Sequence, residues 1–160
     1  MNQDNLAQPV AIYLDEMPMT SSKSTLKMDF SLFDAARVEV LKGPQGTLFG
    51  AGTLAGAVRI ISNKPDPSGF SYKLSTDVGS TSGEMRQRYN GMVNLPISEN
   101  AALRLVAYAS EDDGYVKNVS TNVDPSNKVS NIGLRAALGW QVSERFKANF
   151  SYIMQETEVD

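Results

Sequence analysis

The second half of the chain alternates apolar and polar residues with a period of two, which is typical of β-strands whose two faces meet different surroundings. Five alternating segments lie at residues 72–78, 86–97, 101–110, 132–142 and 146–155. The fourth carries the longest apolar row: Ile132, Leu134, Ala136, Leu138, Trp140 and Val142. This alternation predicts antiparallel strands, either in a soluble β-sandwich or in the wall of a membrane barrel.

The connections between these segments favour the membrane barrel. Residues 98–100 and 143–145 read Ser-Glu-Asn and Ser-Glu-Arg, and each short turn leads directly into a new segment. The links at 79–84 and 111–129 are predicted to be longer loops, the first rich in Gly and Ser and the second polar. Short turns at one end and longer loops at the other are typical of transmembrane barrels. Aromatic residues near the predicted strand ends fit the membrane interfaces: Tyr72, Trp140, Phe146 and Tyr152.

The first part of the chain has a different organisation, with two β-branched stretches on either side of a glycine-rich segment. The stretches run from Val38 to Leu41 and from Val58 to Ile61. The segment between them holds Gly43, Gly46, Gly50, Gly52 and Gly56. So many glycines cost backbone entropy, and they suit a chain that turns tightly or lies against another wall. Residues 65–69, Pro-Asp-Pro-Ser-Gly, are turn formers and predict a boundary between residues 1–65 and 66–160.

The glycine segment does not match the motifs that bind nucleotides. A phosphate loop needs Gly-Lys followed by Ser or Thr, and neither Gly46 nor Gly50 is followed by these residues. A dinucleotide fingerprint needs a different glycine spacing from that of residues 50–56, and a helix should follow it instead of the predicted strand. A glycine-rich hairpin in a soluble β protein accounts for the glycines but not for the residues around them.

Composition excludes several classes of function. The chain has no Cys and no His, which excludes thiol redox chemistry, Cys/His zinc sites and Ser-His or Cys-His nucleophilic catalysis within it. It has 18 acidic and 15 basic residues and no basic tract, so it lacks the charge pattern of a nucleic-acid-binding protein. No run of about 18 apolar residues is present, and a transmembrane helix is therefore not predicted.

Residues 37–65 resemble the core motif of the plug domain in TonB-dependent outer-membrane receptors. The octamer at residues 43–50, Gly-Pro-Gln-Gly-Thr-Leu-Phe-Gly, carries most of the resemblance, and residues 9–18 resemble the preceding strand and turn of that domain. The chain departs from the family at Ala55 and Arg59, where a Gly and an Asn are frequent. The resemblance implies these structural motif residues: Arg37, Glu39, Gly43, Pro44, Gln45, Gly46, Gly50 and Gly56.

The resemblance implies a mainly β fold. Residues 1–65 are expected to be the C-terminal part of a plug domain, itself small and α+β, and residues 66–160 the first strands, about five, of an incomplete antiparallel transmembrane β-barrel. The implied function is the energised uptake of a scarce nutrient, such as an iron–siderophore complex, haem, cobalamin or an oligosaccharide. The implied place is the outer membrane of a Gram-negative bacterium.

The resemblance also implies a set of partners. These are the TonB energy-coupling complex, outer-membrane lipid and a small-molecule nutrient, and we expect the segment that binds TonB to lie outside this chain. No nucleic acid, cofactor, metal or catalytic residue is implied, and the sequence assigns no ligand-binding residue. Two alternatives stay open: a soluble β-rich ligand-binding module, and a truncated product without autonomous activity.

The chain is expected to be a piece of a longer receptor. Residues 1–10 hold no apolar signal segment, although an outer-membrane barrel must be exported. Plugged barrels of this type use about 22 strands, and five strands cannot close.

Several other charged residues are candidate site residues with simpler interpretations. Glu111, Asp112, Asp113 and Asp124 lack the spacing of a calcium loop, and we interpret them as solvated loop residues. The glycosylation signal at residues 118–120 is interpreted as a chance match. Three arginines fall on the polar faces of their segments and are interpreted as ordinary lumen lining: Arg88, Arg104 and Arg135. Arg37, Glu39 and Arg59 are plug charges that need partners, either one another or charges of the lumen, and the sequence does not identify which.

Overall fold

The computed structural model describes residues 10–19, 31–50, 53–81, 83–114 and 127–159. The chain divides into two compact units, Met1–Asn63 and Lys64–Asp160, and each is built on its own β-sheet. Gly52, Asp124, the sequence at residues 118–120 and most of the predicted 111–129 loop lie outside the described residues.

The first unit is a small mixed sheet with short helical turns. Its strands are β1 (Val10–Leu14), β2 (Met17–Pro18), β3 (Ala35–Lys42) and β4 (Gly56–Ser62), in the order β2-β1-β4-β3. β1 pairs with β4 in parallel, and the other pairs are antiparallel. A 3-10 turn spans Leu32–Asp34, and a four-residue helix, α1, spans Gly46–Phe49. The two β-branched stretches therefore form strands, as predicted, and the unit has α+β character.

The turn between β1 and β2 is tied to the far end of β4. Asp15 has a φ of 53°, a left-handed conformation that Asp tolerates better than most residues. Its carboxylate accepts hydrogen bonds from the backbone N–H of Ser62 (3.0 Å) and from the Ser62 hydroxyl (2.7 Å). Ala11, Tyr13 and Ala57 are buried on one face of this sheet and form its small core.

The second unit is an antiparallel meander. Its strands are β5 (Ser71–Thr81), β6 (Glu84–Ser98), β7 (Ala101–Asp112), β8 (Val129–Ser143) and β9 (Phe146–Val159), and they pair in sequence order. This confirms the five predicted strands. The strands have 11 to 15 residues, which is enough for the roughly 9–11 that a tilted strand needs to cross a bilayer.

The prediction of a longer loop at residues 79–84 is wrong. β5 continues to Thr81, which pairs directly with Glu84 in a tight hairpin. Gly83 has a φ of 92°, and glycine adopts this left-handed conformation without the steric cost that other residues incur. The Gly and Ser content of this segment therefore reflects a tight turn rather than a loop.

The two faces of the meander differ sharply in polarity. Cross-strand partners share a face, and one such row consists of Leu74, Gly91, Ala107, Leu134 and Met154. Large apolar side chains on this face are exposed, for example Leu74 at 78% and Phe150 at 63%. A sandwich would bury this face against a second sheet, whereas a barrel wall turns it toward lipid. Among the described residues, no helix is long and apolar enough to cross a bilayer.

The opposite face is polar and internally hydrogen-bonded. The Thr157 hydroxyl donates to Asn131 Oδ1 (2.6 Å), and Asn131 Nδ2 donates to Ser110 Oγ (3.5 Å) across three strands. Arg104 and Arg135 lie on this face and are buried, as the alternation predicted. On the same face Tyr108 covers Gly133, where any side chain would overlap the tyrosine ring, an arrangement that compensates for the missing side chain in a strand. Tyr152, predicted near a strand end, pairs with Ala136 in the middle of β9.

We expect residues 1–160 expressed alone not to insert into a membrane as a stable barrel. β5 and β9 are the edges of the sheet, and lipid does not tolerate their unpaired backbone N–H and C=O groups. The measurement is the electrophoretic mobility of heated and unheated samples in detergent, with protease digestion, and an intact barrel receptor is the control. A heat-modifiable, protease-resistant band from the isolated chain would contradict this expectation.

Candidate functional site

The glycine motif forms a closed excursion between β3 and β4. Gly43 follows β3 with a φ of 86°, and its N–H donates to the carbonyl of Ala55 (3.1 Å). Two residues later the N–H of Gln45 donates to the carbonyl of Thr53 (3.0 Å). Pro44, which has no N–H to donate, lies exposed between these two hydrogen-bonded residues. The motif therefore leaves the sheet and returns to it at fixed points.

The tip of the excursion is the short helix α1. The N–H of Phe49 donates to the carbonyl of Gln45 (2.9 Å), and the N–H of Gly50 donates to the carbonyl of Gly46 (3.0 Å). Gly50 then ends the helix with a φ of 71°, and its carbonyl accepts a hydrogen bond from the Thr53 hydroxyl (2.7 Å). Periodicity did not predict this helix because a single turn is too short to show a pattern.

Phe49 packs the tip of the motif against the sheet. Its ring meets that of Tyr13 edge to face, with centroids 5.1 Å apart, a geometry that contributes about 0.5–1.5 kcal/mol beyond area burial. The Tyr13 hydroxyl donates to the Phe49 carbonyl. The guanidinium carbon of Arg59 lies 5.6 Å from the centroid of the Phe49 ring, within range of a cation–π contact.

The motif glycines are needed for different reasons. Gly56 is buried in β4 with a φ of +149°, and a β-carbon on it would overlap the carbonyl oxygen of Leu41 on β3. Gly43 and Gly50 need their left-handed conformation but have open space around them. Gly46 has neither a close neighbour nor a positive φ. Sequence reasoning grouped these glycines together and could not rank them.

The charged motif residues form a network on one face of the first sheet. Glu39 lies at its centre, accepting from Arg37 Nε (2.7 Å) and from Arg59 NH1 (2.9 Å). Arg59 also donates through NH2 to Glu16 Oε1 (2.8 Å). Sequence reasoning named the first three residues as needing partners and missed Glu16. No sequence signal marks it, because the turn after β1 comes near Arg59 only through the pairing of β1 with β4.

The network changes the acidity of Glu39. The hydrogen bond from Arg37 lowers the pKa of the Glu39 carboxyl, and the charges of Arg37 and Arg59 act in the same direction against partial desolvation. The carboxylate is therefore held in its charged form. This suits a site in which one acid balances two guanidinium groups.

The acidic residues at the end of β7, Glu111 and Asp112, and the one just after it, Asp113, are paired with cations, and the first two lie in the strand rather than in the predicted loop. Lys128 Nζ lies 2.5 Å from Glu111 Oε1 and 3.6 Å from Asp113 Oδ1, and Arg86 Nε lies 3.0 Å from Asp112 Oδ1. The hydrogen bond with Glu111 and its charge raise the pKa of Lys128. In the part of the chain that the structure describes, no three acidic side chains gather as a metal site would require.

Comparison with known proteins relates this geometry to a family. The family described as the TonB-dependent Receptor Plug Domain matches residues 2–57, a range that includes the whole glycine motif, Glu39 and Gly56. Together with relatives that are 32% and 30% identical over 86% and 74% of the chain, this match shows that the chain belongs to the TonB-dependent receptor family. It is accordingly a protein of the Gram-negative outer membrane.

Relatives of this TonB-dependent receptor chain are named as receptors. The pesticin receptor of Yersinia enterocolitica is 32% identical over 140 residues, which cover 86% of the chain and 19% of the relative. The ferric enterobactin receptor PirA of Pseudomonas aeruginosa is 30% identical over 132 residues, covering 74% of the chain and 18% of the relative. The chain thus spans about a fifth of the length of these relatives.

Solved structures share the fold of this TonB-dependent receptor chain. The siderophore receptor PirA of Pseudomonas aeruginosa superimposes with a TM-score of 0.75 at 23% identity, over 96% of the chain and 27% of that structure. The ferric-catecholate import receptor Fiu of E. coli gives a TM-score of 0.75 at 20% identity, over 99% of the chain and 22% of that structure. At these identities the likeness concerns the fold alone.

We predict that Gly56→Ala destabilises the first unit strongly, whereas Gly46→Ala does not. Alanine at position 56 would meet the Leu41 carbonyl and adopt a φ of +149°, a strain of about 1–3 kcal/mol before any overlap is counted. Alanine at position 46 lies in open space within a helix, where it is worth about 0.5–1 kcal/mol more than glycine. Limited proteolysis of the receptor under increasing urea measures both. Equal sensitivity of the two variants would contradict the prediction.

We predict that the stability of the first unit depends on pH through Glu39. Because its pKa is lowered in the folded state, the ionised carboxylate stabilises the unit above the unfolded value of about 4.5, and this contribution is lost as pH falls through the lower folded value. Glu39→Gln should lower the urea midpoint at pH 7, and the difference from the parent should shrink below pH 4.5. Glu99→Gln, an exposed change in the other unit, is the charge control. A Glu39→Gln deficit that keeps the same size as the pH is lowered from 7 to well below 4.5 would refute the linkage.

Proposed function

We propose that the chain is part of a receptor for the energised uptake of an iron–siderophore complex. The names of its relatives support this choice among the nutrients that the family resemblance implies, because they include a ferric enterobactin receptor and, among solved structures, a siderophore receptor and a ferric-catecholate import receptor. Haem, cobalamin and oligosaccharides have no such support. Since the chain spans about a fifth of its relatives, the activity, ligand and partners of the whole protein belong to this proposal.

One observation carries the proposal: a small sheet with a folded-back glycine motif is followed directly by an antiparallel meander whose apolar face is exposed. A plug and a barrel wall need this order of units. We assign residues 1–65 to the C-terminal part of the plug domain and residues 66–160 to the first barrel strands. The boundary between the compact units, after Asn63, supports this division.

The proposed role of the plug motif is structural. Gly43 and Gly50 shape the excursion, Gly56 allows β3 and β4 to approach, and Arg37 and Glu39 belong to the ionic network. Pro44, Gln45 and Gly46 build the entry to α1. In this hypothesis the plug blocks the barrel until the TonB energy-coupling complex, engaged by a segment outside this chain, rearranges it after ligand binds from outside.

We predict that deleting the gene abolishes uptake of a ferric catecholate siderophore under iron limitation. Uptake of radiolabelled iron carried by enterobactin is measured in the deletion strain, in the complemented strain and in a strain lacking TonB. The first and third should fail and the second should recover. Unchanged siderophore uptake with loss of cobalamin or oligosaccharide uptake would instead favour one of the other nutrients.

A further inference from the structure

The segment at residues 65–69, which joins the two units, lies across the polar face of the second sheet. It contacts β8 at Gly139 and β6 at Asn94, and the charge of Arg104 on β7, the strand between them, acts on Asp66. The chain then enters β5 at Ser71. A linker between two units ordinarily makes few contacts. This one interacts with the sheet through hydrogen bonds, a steric contact and a longer-range electrostatic attraction.

Asn94 makes the most specific of these contacts. Its side chain is fully buried, with 0% exposure, and all its polar atoms are used. Asn94 Oδ1 accepts from the N–H of Asp66 (3.0 Å), and Asn94 Nδ2 donates to the carbonyls of Asp66 (2.8 Å) and Gly69 (2.9 Å). A buried amide with both donors and its acceptor satisfied is costly to separate from its partners. The Asn94 side chain thus binds backbone groups of the linker, as the backbone of a neighbouring strand does in a sheet.

The next strand, β7, acts on Asp66 through the charge of Arg104. Asn94 pairs across β6 and β7 with Arg104, a lumen-face arginine that is 8% exposed. Hydrogen bonds from Ser68, including its backbone N–H at 2.9 Å, lower the pKa of Asp66, and the positive charge of Arg104 lowers it further. The Asp66 carboxylate is therefore held in its charged form, and the positive charge of Arg104 contributes to this. Leaving this position would separate the two charges.

The third contact is steric. A β-carbon placed on Gly139 would lie 3.3 Å from the β-carbon of Pro65 and 3.5 Å from its γ-carbon. The proline ring therefore lies against β8 at Gly139, where a β-carbon would be in tight contact with it. Pro65 and Pro67 also restrict φ on both sides of Asp66. The linker is stiff at the point where it is bound.

We propose that Asn94, Arg104 and Gly139 form a seat that keeps residues 65–69 on the barrel wall throughout transport. Asn94 is thus a positioning residue, and any rearrangement of the plug is confined to residues before Pro65. This inference rests on the proposed uptake function. On the plug side of the seat, Asn63 donates to Asp34 through its backbone N–H (3.0 Å) and through Nδ2 to the carbonyl and carboxylate oxygens (3.2 Å each).

The first experiment locks the seat covalently in the full-length receptor. Pro65→Cys with Gly139→Cys places two β-carbons at 3.3 Å, close to the roughly 3.5–4.5 Å of disulfides, in a chain that has no Cys of its own. We expect the oxidised and reduced double variant to take up ferric siderophore at the same rate. Each single variant, treated with the same oxidant, is the matched control. Uptake that stops on oxidation and returns with a reductant, only in the double variant, would overturn the inference.

A second measurement does not depend on that variant folding. Hydrogen exchange of a peptide covering residues 65–69 is followed in the purified parent receptor, in Asn94→Leu and in Asn94→Asp. Loss of the amide should speed exchange of the Asp66 N–H by about tenfold in Asn94→Leu, with a smaller effect in Asn94→Asp, which keeps the acceptor. Parent-like exchange in Asn94→Leu would show that no seat exists.

The two proposals fail in different ways. If the parent receptor takes up no ferric siderophore while exchange at residues 65–69 still depends on Asn94, the uptake hypothesis is wrong and the seat is present. If the parent transports and the oxidised double variant does not, the seat is not permanent and the uptake hypothesis stands. Added siderophore and a soluble TonB fragment should leave the exchange at residues 65–69 in the parent unchanged. Acceleration by either would count against the seat.

Discussion

The organisation of this chain depends on one constraint: a bilayer offers no hydrogen-bonding partner to the backbone. Every strand of the second unit therefore pairs with its sequence neighbours along nearly its whole length. Pairing fixes the register, and the register sends alternate residues to opposite faces. This register places Leu74 and Met154 in the apolar row on one face and Ser110 and Asn131 in the polar row on the other. Only the polar face can then receive other parts of the same protein, such as the linker.

Sequence patterns revealed what is local and periodic. Alternation predicted all five strands of the meander because the two faces meet different surroundings, and the β-branched stretches marked β3 and β4. The hairpin at Gly83 was misread because Gly and Ser serve both loops and tight turns. α1 was missed because one turn of helix has no period. These errors concern segments where composition is ambiguous and pattern is absent.

Sequence patterns did not predict which residues distant along the chain contact each other. Glu16 is 43 residues from Arg59, and Asn94 is 28 residues from Asp66, and nothing in the chain indicates that either pair meets. The family resemblance identified the motif residues but not the separate reason for each glycine. Gly56 became distinct only when β3 was placed beside it, because its requirement comes from the Leu41 carbonyl. The requirement for a particular glycine is therefore set by its neighbours in the folded sheet and cannot be deduced from the motif alone.

The ionic network of the first unit and the hydrogen bonds that hold the linker on the second sheet differ in their exposure to water. The ionic network of the first unit is partly open to water, with 62% of the Arg37 side chain and 86% of the Glu16 side chain exposed, so solvent and salt screen much of its attraction. The Asn94 side chain is buried beneath the linker, so its hydrogen bonds are less open to competition from water than the charges of Arg37 and Glu16. The proposed rearrangement of the plug, with the linker kept in place, is consistent with this difference: a screened, reversible network lies in the first unit, and a buried amide holds the linker.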